Sequence, residues 1–321
     1  MNTSLYPGDQ VRARRLEEIA VTLDQDGTLD ALPFMPEMVP FCGKPFRVFR
    51  RLEKTCVEGY GARLLPNTVI LEGVRCDGSA HGGCQRNCAL LWKEAWLQPI
   101  ESGTLEERAP AQIQVPRGPS LRTMTGAGRY FCQSTELGRA TTYLFPISFK
   151  RCTAEFCAKN VDLRKSIQFL WIPLVVKIKT KLFGLSAVQP VGHSKQTPAE
   201  ALHLQAGELV EVKAPDEIAS TLDRQGRNRG LAFTPQMLPF CRKGYAVKSR
   251  VDRAILETTG EMREFKHTVI LEEVTCDGHT ILGGCSRDVY HLWREIWLRR
   301  IDSPPCGSGQ TPRRHDAELN S

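Results

Sequence analysis

The residues with the clearest chemical potential lie in one short stretch, Cys76-Asp-Gly-Ser-Ala-His-Gly-Gly-Cys-Gln-Arg-Asn-Cys88. The stretch holds three thiols and one imidazole, and Gly78, Gly82 and Gly83 give the backbone freedom to fold back on itself. Zn²⁺ takes four sulfur or nitrogen ligands in a tetrahedron, and thiolate clusters also hold iron–sulfur groups. The stretch therefore predicts a metal centre, with zinc as the expected ion and an iron–sulfur cluster as the alternative.

The chain contains one module twice, at 8–100 and 207–301, with the second copy 199 to 201 residues after the first. The repeated segments include Pro-Phe-Cys, Thr-Val-Ile-Leu-Glu, Cys-Asp-Gly, Gly-Gly-Cys and a Leu-Trp-x-Glu-x-Trp-Leu ending. Two single-residue shifts separate the matched segments, as expected where loops differ in length. Repeats of this density predict two structural units of the same design.

Comparison of the two copies indicates which thiols belong together. Cys56 and Cys88 have no cysteine counterpart in the second copy, and two thiols absent together suggest two thiols that share a site. The predicted metal ligands are Cys56, Cys76, Cys84 and Cys88, with His81 and Cys132 as substitutes. Buried apolar thiols and redox or disulfide chemistry remain open as alternatives. The second copy keeps too few thiols for the same site and is expected to be mainly structural.

The elements that must position these thiols are mainly β-strands with short helices. Each copy opens on a short strand after a Gly-Asp or Gly-Glu turn and passes through a short helix to a Pro-rich loop. Alternating and β-branched runs then predict further strands. This layout is similar to a small SH3-like barrel with an inserted helix. Trp92 and Trp96 are expected in the core, and Glu94 between them is expected to form a buried pair with an arginine.

Composition divides the rest of the chain into linkers, a middle segment and a tail. Residues 101–122 are rich in Pro, Gly, Ser and Glu and are predicted to be a linker, as are 186–206. Residues 123–185 form a separate, α-containing middle segment that matches neither copy. Residues 302–321 are predicted to be a disordered tail.

The bulk composition is that of a folded protein of the cytoplasm. The twelve cysteines follow an N-terminus without an apolar export signal, which favours thiols or metal ligands over disulfides. The longest apolar run, 169–176, contains Pro173 and is far shorter than the roughly twenty residues of a membrane span. The net charge of +7 is spread along the chain, so a nucleic-acid partner is only weakly indicated.

The stretches Cys42-Gly-Lys-Pro-Phe-Arg-Val, Arg75-Cys-Asp-Gly-Ser-Ala-His-Gly-Gly-Cys-Gln-Arg and Trp92-Lys-Glu-Ala-Trp-Leu carry a family resemblance. With Cys132-Gln-Ser-Thr-Glu-Leu, they resemble uncharacterised bacterial cysteine-rich tandem-repeat proteins associated with polysaccharide or secondary-metabolite biosynthesis clusters. The resemblance implies a bacterial cytoplasmic protein that assists a biosynthetic pathway and binds a protein partner there. It implies no catalytic residue.

Taken together, these observations favour a metal-stabilised, non-catalytic binding or accessory module. No Walker loop, dinucleotide glycine loop, His-Glu-x-x-His or Gly-x-Ser-x-Gly motif is present in the sequence. The alternatives are a metal- or iron–sulfur-dependent enzyme that uses the first copy with the middle segment, and a nucleic-acid-binding protein.

Overall fold

Strands and short helices alternate through both modules in the computed structural model. The described residues are 4–100, 121–145, 148–185, 188–193 and 197–301. The first module contains β1 (Gln10–Ala13), α1 (Leu16–Ala20), β2 (Thr28–Leu29), β3 (Leu32–Pro33), β4 (Pro45–Val57), β5 (Gly61–Arg75), β6 (Ala89–Lys93) and β7 (Leu97–Pro99). Two 3₁₀ turns, Pro36–Phe41 and Glu94–Trp96, complete it.

The middle segment is mostly helical, and the second module returns to strands. The middle segment holds α2 (Gln133–Ala140), β8 (Thr142–Tyr143), α3 (Phe149–Cys157) and α4 (Leu163–Phe183). The second module holds β9 (Leu209–Val212), α5 (Pro215–Ala219), β10 (Arg227–Asn228), β11 (Leu231–Ala232), β12 (Gly244–Arg250), β13 (Arg253–Ile255), β14 (Met262–Glu264), β15 (Thr268–Leu271), β16 (Trp293–Arg294) and β17 (Leu298–Arg300). Two 3₁₀ turns lie at Pro235–Phe240 and Glu295–Trp297.

Each module is built on an antiparallel sheet with the same order of neighbours. The first sheet runs β6-β5-β4-β1-β7, with β8 added to β5, and the second runs β16-β15-β12-β9-β17. Neither path closes on itself within the described residues. The prediction of a mainly β chain with short helices is therefore confirmed, whereas the closed SH3-like barrel is not.

Two tryptophans and a phenylalanine form the centre of each core. Phe34 meets Trp92 and Trp96 edge-on, with ring centroids 6.2 and 5.3 Å apart. The Trp96 indole N–H donates to Thr22 Oγ1 over 3.1 Å, so the polar end of this buried ring has a partner. Phe233, Trp293 and Trp297 repeat the arrangement in the second module. The predicted core role of the tryptophans is confirmed.

The middle segment packs against both modules and leaves the outer part of α4 exposed. Cys132, Leu137 and Ala140 from the start and body of α2 belong to the first module's core, and β8 extends its sheet. Helix α4 begins at Asp162, whose carboxylate accepts from the Lys165 N–H, and ends at Gly184 with a positive φ of 79°. Within the described ranges, no helix combines the length and apolar character that crossing a bilayer requires.

Parts of the predicted linkers are ordered or lie outside the described residues. Nearly all of 101–122 and the whole of 302–321 lie outside them. By contrast, Leu204 within 186–206 is fully buried in the second module's core. The backbone N–H groups of Leu202, His203 and Leu204 all donate to the Glu295 carboxylate. The second module thus begins before its first strand.

Candidate thiol-lined site

The first cysteine loop, residues 76–88, connects the neighbouring strands β5 and β6. Its ends are tied by a hydrogen bond of 2.8 Å from the Cys76 N–H to the Cys88 carbonyl. Gly78 has a φ of +70°, and a Cβ added there would lie 2.1 Å from the Cys84 carbonyl oxygen. The loop therefore closes on itself because the residue at 78 has no side chain.

This loop and the start of α2 enclose a small cavity. The cavity has a volume of about 40 Å³. Thiols on its wall come from Cys76, Cys84, Cys88 and Cys132, and His81 also lines it. One water needs about 10–15 Å³, so the cavity has room for an ion or a few waters but not for an organic substrate.

Gln133 fixes the position of Cys132 on the cavity wall. Its side-chain amide accepts from the Leu91 N–H over 2.8 Å and donates to the Leu91 carbonyl over 2.7 Å, so it pairs with the free edge of β6. The same amide donates to the Pro33 carbonyl over 3.0 Å. Because Cys132 directly precedes Gln133, helix α2 starts with its thiol beside the first cysteine loop.

His81 is fully engaged by hydrogen bonds. Its Nδ1 lies 2.6 Å from a Glu37 carboxylate oxygen and its Nε2 lies 3.0 Å from the Phe131 carbonyl oxygen. Burial disfavours the charged imidazole, but the bonds to Glu37 and Phe131 outweigh that effect and raise the pKa of His81. Since neither ring nitrogen is free, His81 holds the first cysteine loop to the 3₁₀ turn and the middle segment.

Burial keeps three of the cavity thiols protonated at neutral pH. It raises the pKa of Cys132 to about 12 and raises the pKa of Cys76 well above its ordinary value. Burial also raises the pKa of Cys88, while the guanidinium groups of Arg86 and Arg287 act in the opposite direction. If these thiols lost their protons, the two arginines would offset part of the negative charge of the thiolates.

Cys56 lies apart from the other predicted ligands. It belongs to the first hairpin, the outer part of β4 and β5 around residues 54–64, which reaches the second module. There the Cys56 thiol hydrogen-bonds to Cys285, which raises the pKa of Cys56 and lowers the pKa of Cys285. The structure therefore brings Cys76, Cys84, Cys88 and Cys132 to one cavity, and places Cys56 at another site.

The contact of the first hairpin with the second cysteine loop has a counterpart, in which the second hairpin contacts the first cysteine loop. In the second hairpin, β13 with β14, the Ile255 N–H donates to the Cys84 sulfur over 3.4 Å. The backbone of Cys56 likewise donates to Cys285 in the second cysteine loop, residues 276–289. Gln85 reinforces the first contact, since its side-chain oxygen accepts from the N–H groups of Asp252 and Arg253.

Arg287 is the central polar residue between the modules. Its guanidinium donates to both Glu257 carboxylate oxygens, over 3.0 and 2.6 Å, and to the Ser134 hydroxyl over 2.9 Å. It also donates to the Cys56 carbonyl over 2.9 Å. Arg287 follows the repeated Gly-Gly-Cys by two residues, whereas Glu257 lies in a segment where the two copies differ, so the repeat gives no sign of their pairing.

The described part of the chain contains no group of three or more His, Cys, Asp or Glu side chains already arranged to hold a metal ion. The ligand set predicted from the sequence thus stays a prediction, with its members placed as described. Comparison with protein-family models, with curated proteins and with solved structures finds no match to this chain.

Proposed function

We propose that this protein is a non-catalytic binding module stabilised by one zinc ion, held by Cys76, Cys84, Cys88 and Cys132. The observation that carries the proposal is that the three thiols of the first cysteine loop and the distant Cys132 line one cavity of about 40 Å³. Zinc in structural sites takes four such ligands. The proposal replaces Cys56 with Cys132, which was one of the two substitutes, with His81, in the sequence-based ligand set.

The chemistry of the wall fits a thiolate-bound ion. Four thiolates around Zn²⁺ leave a net charge of −2, and Arg86 and Arg287 lie close enough to act on the Cys88 thiol. The Ile255 N–H that meets the Cys84 sulfur is the kind of donor that orients a thiolate ligand. Metal binding would displace the thiol protons, so affinity should increase with pH.

The small cavity also supports a structural role for the metal. Catalytic zinc keeps an open position for water or substrate, whereas this wall leaves no room for an organic molecule. Zinc would join the first cysteine loop to α2, and structural zinc supplies about 10–16 kcal/mol in small domains. The two modules, as SH3-like units of one duplicated design, would then dock a protein partner in a biosynthetic pathway; their shared strand order supports this.

Elemental analysis of protein purified without oxygen tests the metal site. We expect one zinc per chain in the wild type and loss of zinc in Cys84→Ser and Cys132→Ser. Cys56→Ser and Cys285→Ser are the matched controls and should keep the metal, because their thiols contact each other instead. A brown preparation with iron and sulfide would favour the iron–sulfur enzyme.

Two results would contradict this zinc site or its ligand set. Wild-type protein that carries no metal, and whose unfolding midpoint is unchanged by added zinc or by a chelator, would refute the zinc proposal. Retention of zinc in Cys132→Ser together with its loss in Cys56→Ser would restore the ligand set predicted from the sequence.

A further inference from the structure

The outer part of helix α4 carries large apolar side chains that no other described residue covers. Only Ser166 and Phe169 of this helix are buried, where Phe169 packs against the second cysteine loop at Gly284. Exposed apolar side chains on and just beyond the helix are Leu163, Ile167, Leu170, Trp171, Leu174, Ile178, Leu182, Phe183 and Leu185. An exposed apolar surface of this extent marks an interaction site.

Five of the nine apolar residues share one side of the helix, on which Lys181 also falls. Leu163, Ile167, Trp171, Leu174 and Ile178 recur at spacings of three and four residues, which keeps them on a single face. The buried Phe169 lies on another face, toward the protein. The uncovered face is therefore distinct from the surface that anchors the helix.

The charge on the helix is of one sign. Residues 163–185 contain five basic residues and no Asp or Glu, and the basic residues are Arg164, Lys165, Lys177, Lys179 and Lys181. Three of these basic residues, Lys177, Lys179 and Lys181, lie at the C-terminal end of the helix. Every residue from 177 to 185 is exposed there. Exposed apolar side chains beside positive charges suit an anionic surface with an apolar interior.

A second copy of the chain fits this surface poorly. Pairing two such helices would bring two sets of like charges together, which disfavours association. Anionic lipid headgroups instead attract lysines, and the acyl boundary takes apolar side chains. Long lysine side chains reach the headgroup level from a helix lying in the interface.

We propose that α4 docks the protein on an anionic phospholipid surface. The helix lies along the membrane, with the face of Ile167, Trp171, Leu174 and Ile178 in the headgroup and acyl boundary. Lys177, Lys179 and Lys181 pair with lipid phosphates and carboxylates. This contact is peripheral, and it is independent of any metal in the thiol-lined cavity.

Tryptophan fluorescence gives a direct test, because one indole reports on this helix alone. Trp171 is 66% exposed, whereas Trp92, Trp96, Trp293 and Trp297 are 0% exposed, and the chain has five tryptophans. Adding phosphatidylcholine vesicles that contain phosphatidylserine to the full-length protein should shift its emission to the blue. Vesicles of phosphatidylcholine alone should leave the emission nearly unchanged.

Matched variants separate charge from apolar contact. Lys177→Gln with Lys179→Gln and Lys181→Gln should weaken vesicle partitioning by about a hundredfold. Trp171→Phe should abolish the spectral shift while co-sedimentation with the vesicles persists. Neutral substitutions of three basic residues on the second module, Arg242→Gln, Lys243→Gln and Lys248→Gln, should leave binding unchanged.

The proposal would be overturned if the protein did not sediment with phosphatidylserine vesicles or bound both vesicle types equally. It would also be overturned if the blue shift of Trp171 emission appeared on raising the protein concentration without lipid. That last result would assign the face to a second copy. Tighter salt-sensitive binding to single-stranded nucleic acid than to the vesicles would likewise assign it to another partner.

Discussion

At the scale of single residues, His81 links the first cysteine loop to the 3₁₀ turn Pro36–Phe41 and to the middle segment. It lies between Glu37 and the Phe131 carbonyl, and its side chain is only 1% exposed. The raised pKa means that the folded protein favours the charged imidazole. The buried imidazole therefore joins these segments through charge-assisted hydrogen bonds.

The raised pKa of His81 predicts that the stability of the protein depends on pH. Because the pKa of His81 is raised above its ordinary value of 6.5, its stabilisation is fully present below that pH and is lost as pH rises through the folded pKa. His81→Gln should lower the free energy of unfolding by about 1.5–3 kcal/mol at low pH. Urea unfolding of the wild type and variant across this range measures the difference.

The difference in the free energy of unfolding between the wild type and His81→Gln should shrink at alkaline pH. A constant gap at every pH would show that His81 contributes only shape and neutral hydrogen bonds. Glu37→Gln is the matched variant, since it removes the carboxylate that faces the ring and should flatten the same pH dependence.

Several residue roles could be read from the sequence alone. Glu94, between two core tryptophans, was expected to pair with an arginine, and it binds Arg51; Glu295 at the same place in the second module binds Arg250. The expectation succeeded because a carboxylate held beside buried rings needs a partner to avoid an unpaired charge. The partner of Cys56 could not be read, since it depends on how the modules meet.

At the scale of elements, Gly78 decides the path of the first cysteine loop, and Gly73 near the end of β5 offers a comparison. Gly73 and Gly78 have nearly the same φ, +71° and +70°. A Cβ at Gly73 meets nothing within 4 Å, but a Cβ at Gly78 would collide with the Cys84 backbone. The two positions thus share one backbone strain and differ in the space around them.

Substitution of these two glycines separates strain from collision. Gly73→Ala should cost about 1–2 kcal/mol, which is the usual penalty for a left-handed backbone. Gly78→Ala should cost clearly more and should disturb the four-thiol cavity. Thermal unfolding of both variants, with thiol counting by alkylation, measures the two effects; equal losses would show that the loop can shift to admit a methyl group.

The strand pattern of each module was predictable, but the docking of α2 was not. Alternating and β-branched runs indicated the strands because side-chain period follows backbone period. Helix α2 joins the first module through the Gln133 amide on the edge of β6. A side chain that completes a strand edge leaves no periodic signal in the sequence, so the middle segment was expected to be separate.

At the scale of the whole molecule, charged residues connect the two modules. Arg75 of the first module pairs with Asp288 of the second, and Lys54 donates to the Gly283 carbonyl. Arg287 pairs with Glu257 of its own module and also donates to the Cys56 carbonyl of the first module. Local unfolding of one module would therefore leave buried charges of the other unpaired.

Arg287→Ala should destabilise both modules at once. Breaking a largely buried pair by removing one partner costs about 3–5 kcal/mol, and Glu257 would lose its main partner. Arg86→Ala is the matched control, because this residue at the same place in the first loop makes one hydrogen bond, to the Tyr290 carbonyl. Its loss should cost about 1 kcal/mol.

Guanidinium unfolding followed by tryptophan emission and by far-ultraviolet circular dichroism measures this coupling. The two probes should give one coincident transition in the wild type. Separate transitions in the wild type, or equal effects of the two arginine variants, would contradict the coupling of the modules through Arg287.

The reciprocal seating of each cysteine loop on the other module's hairpin has a consequence for ancestry. The Glu58 N–H donates to Glu257, the residue at the same place in the second copy, over 2.8 Å. Such a contact between equivalent positions marks an approximate twofold axis. We infer that the chain descends from a self-pairing subunit whose gene was doubled and joined. Fragments 1–193 and 194–321, produced together, should therefore reassemble without a covalent link.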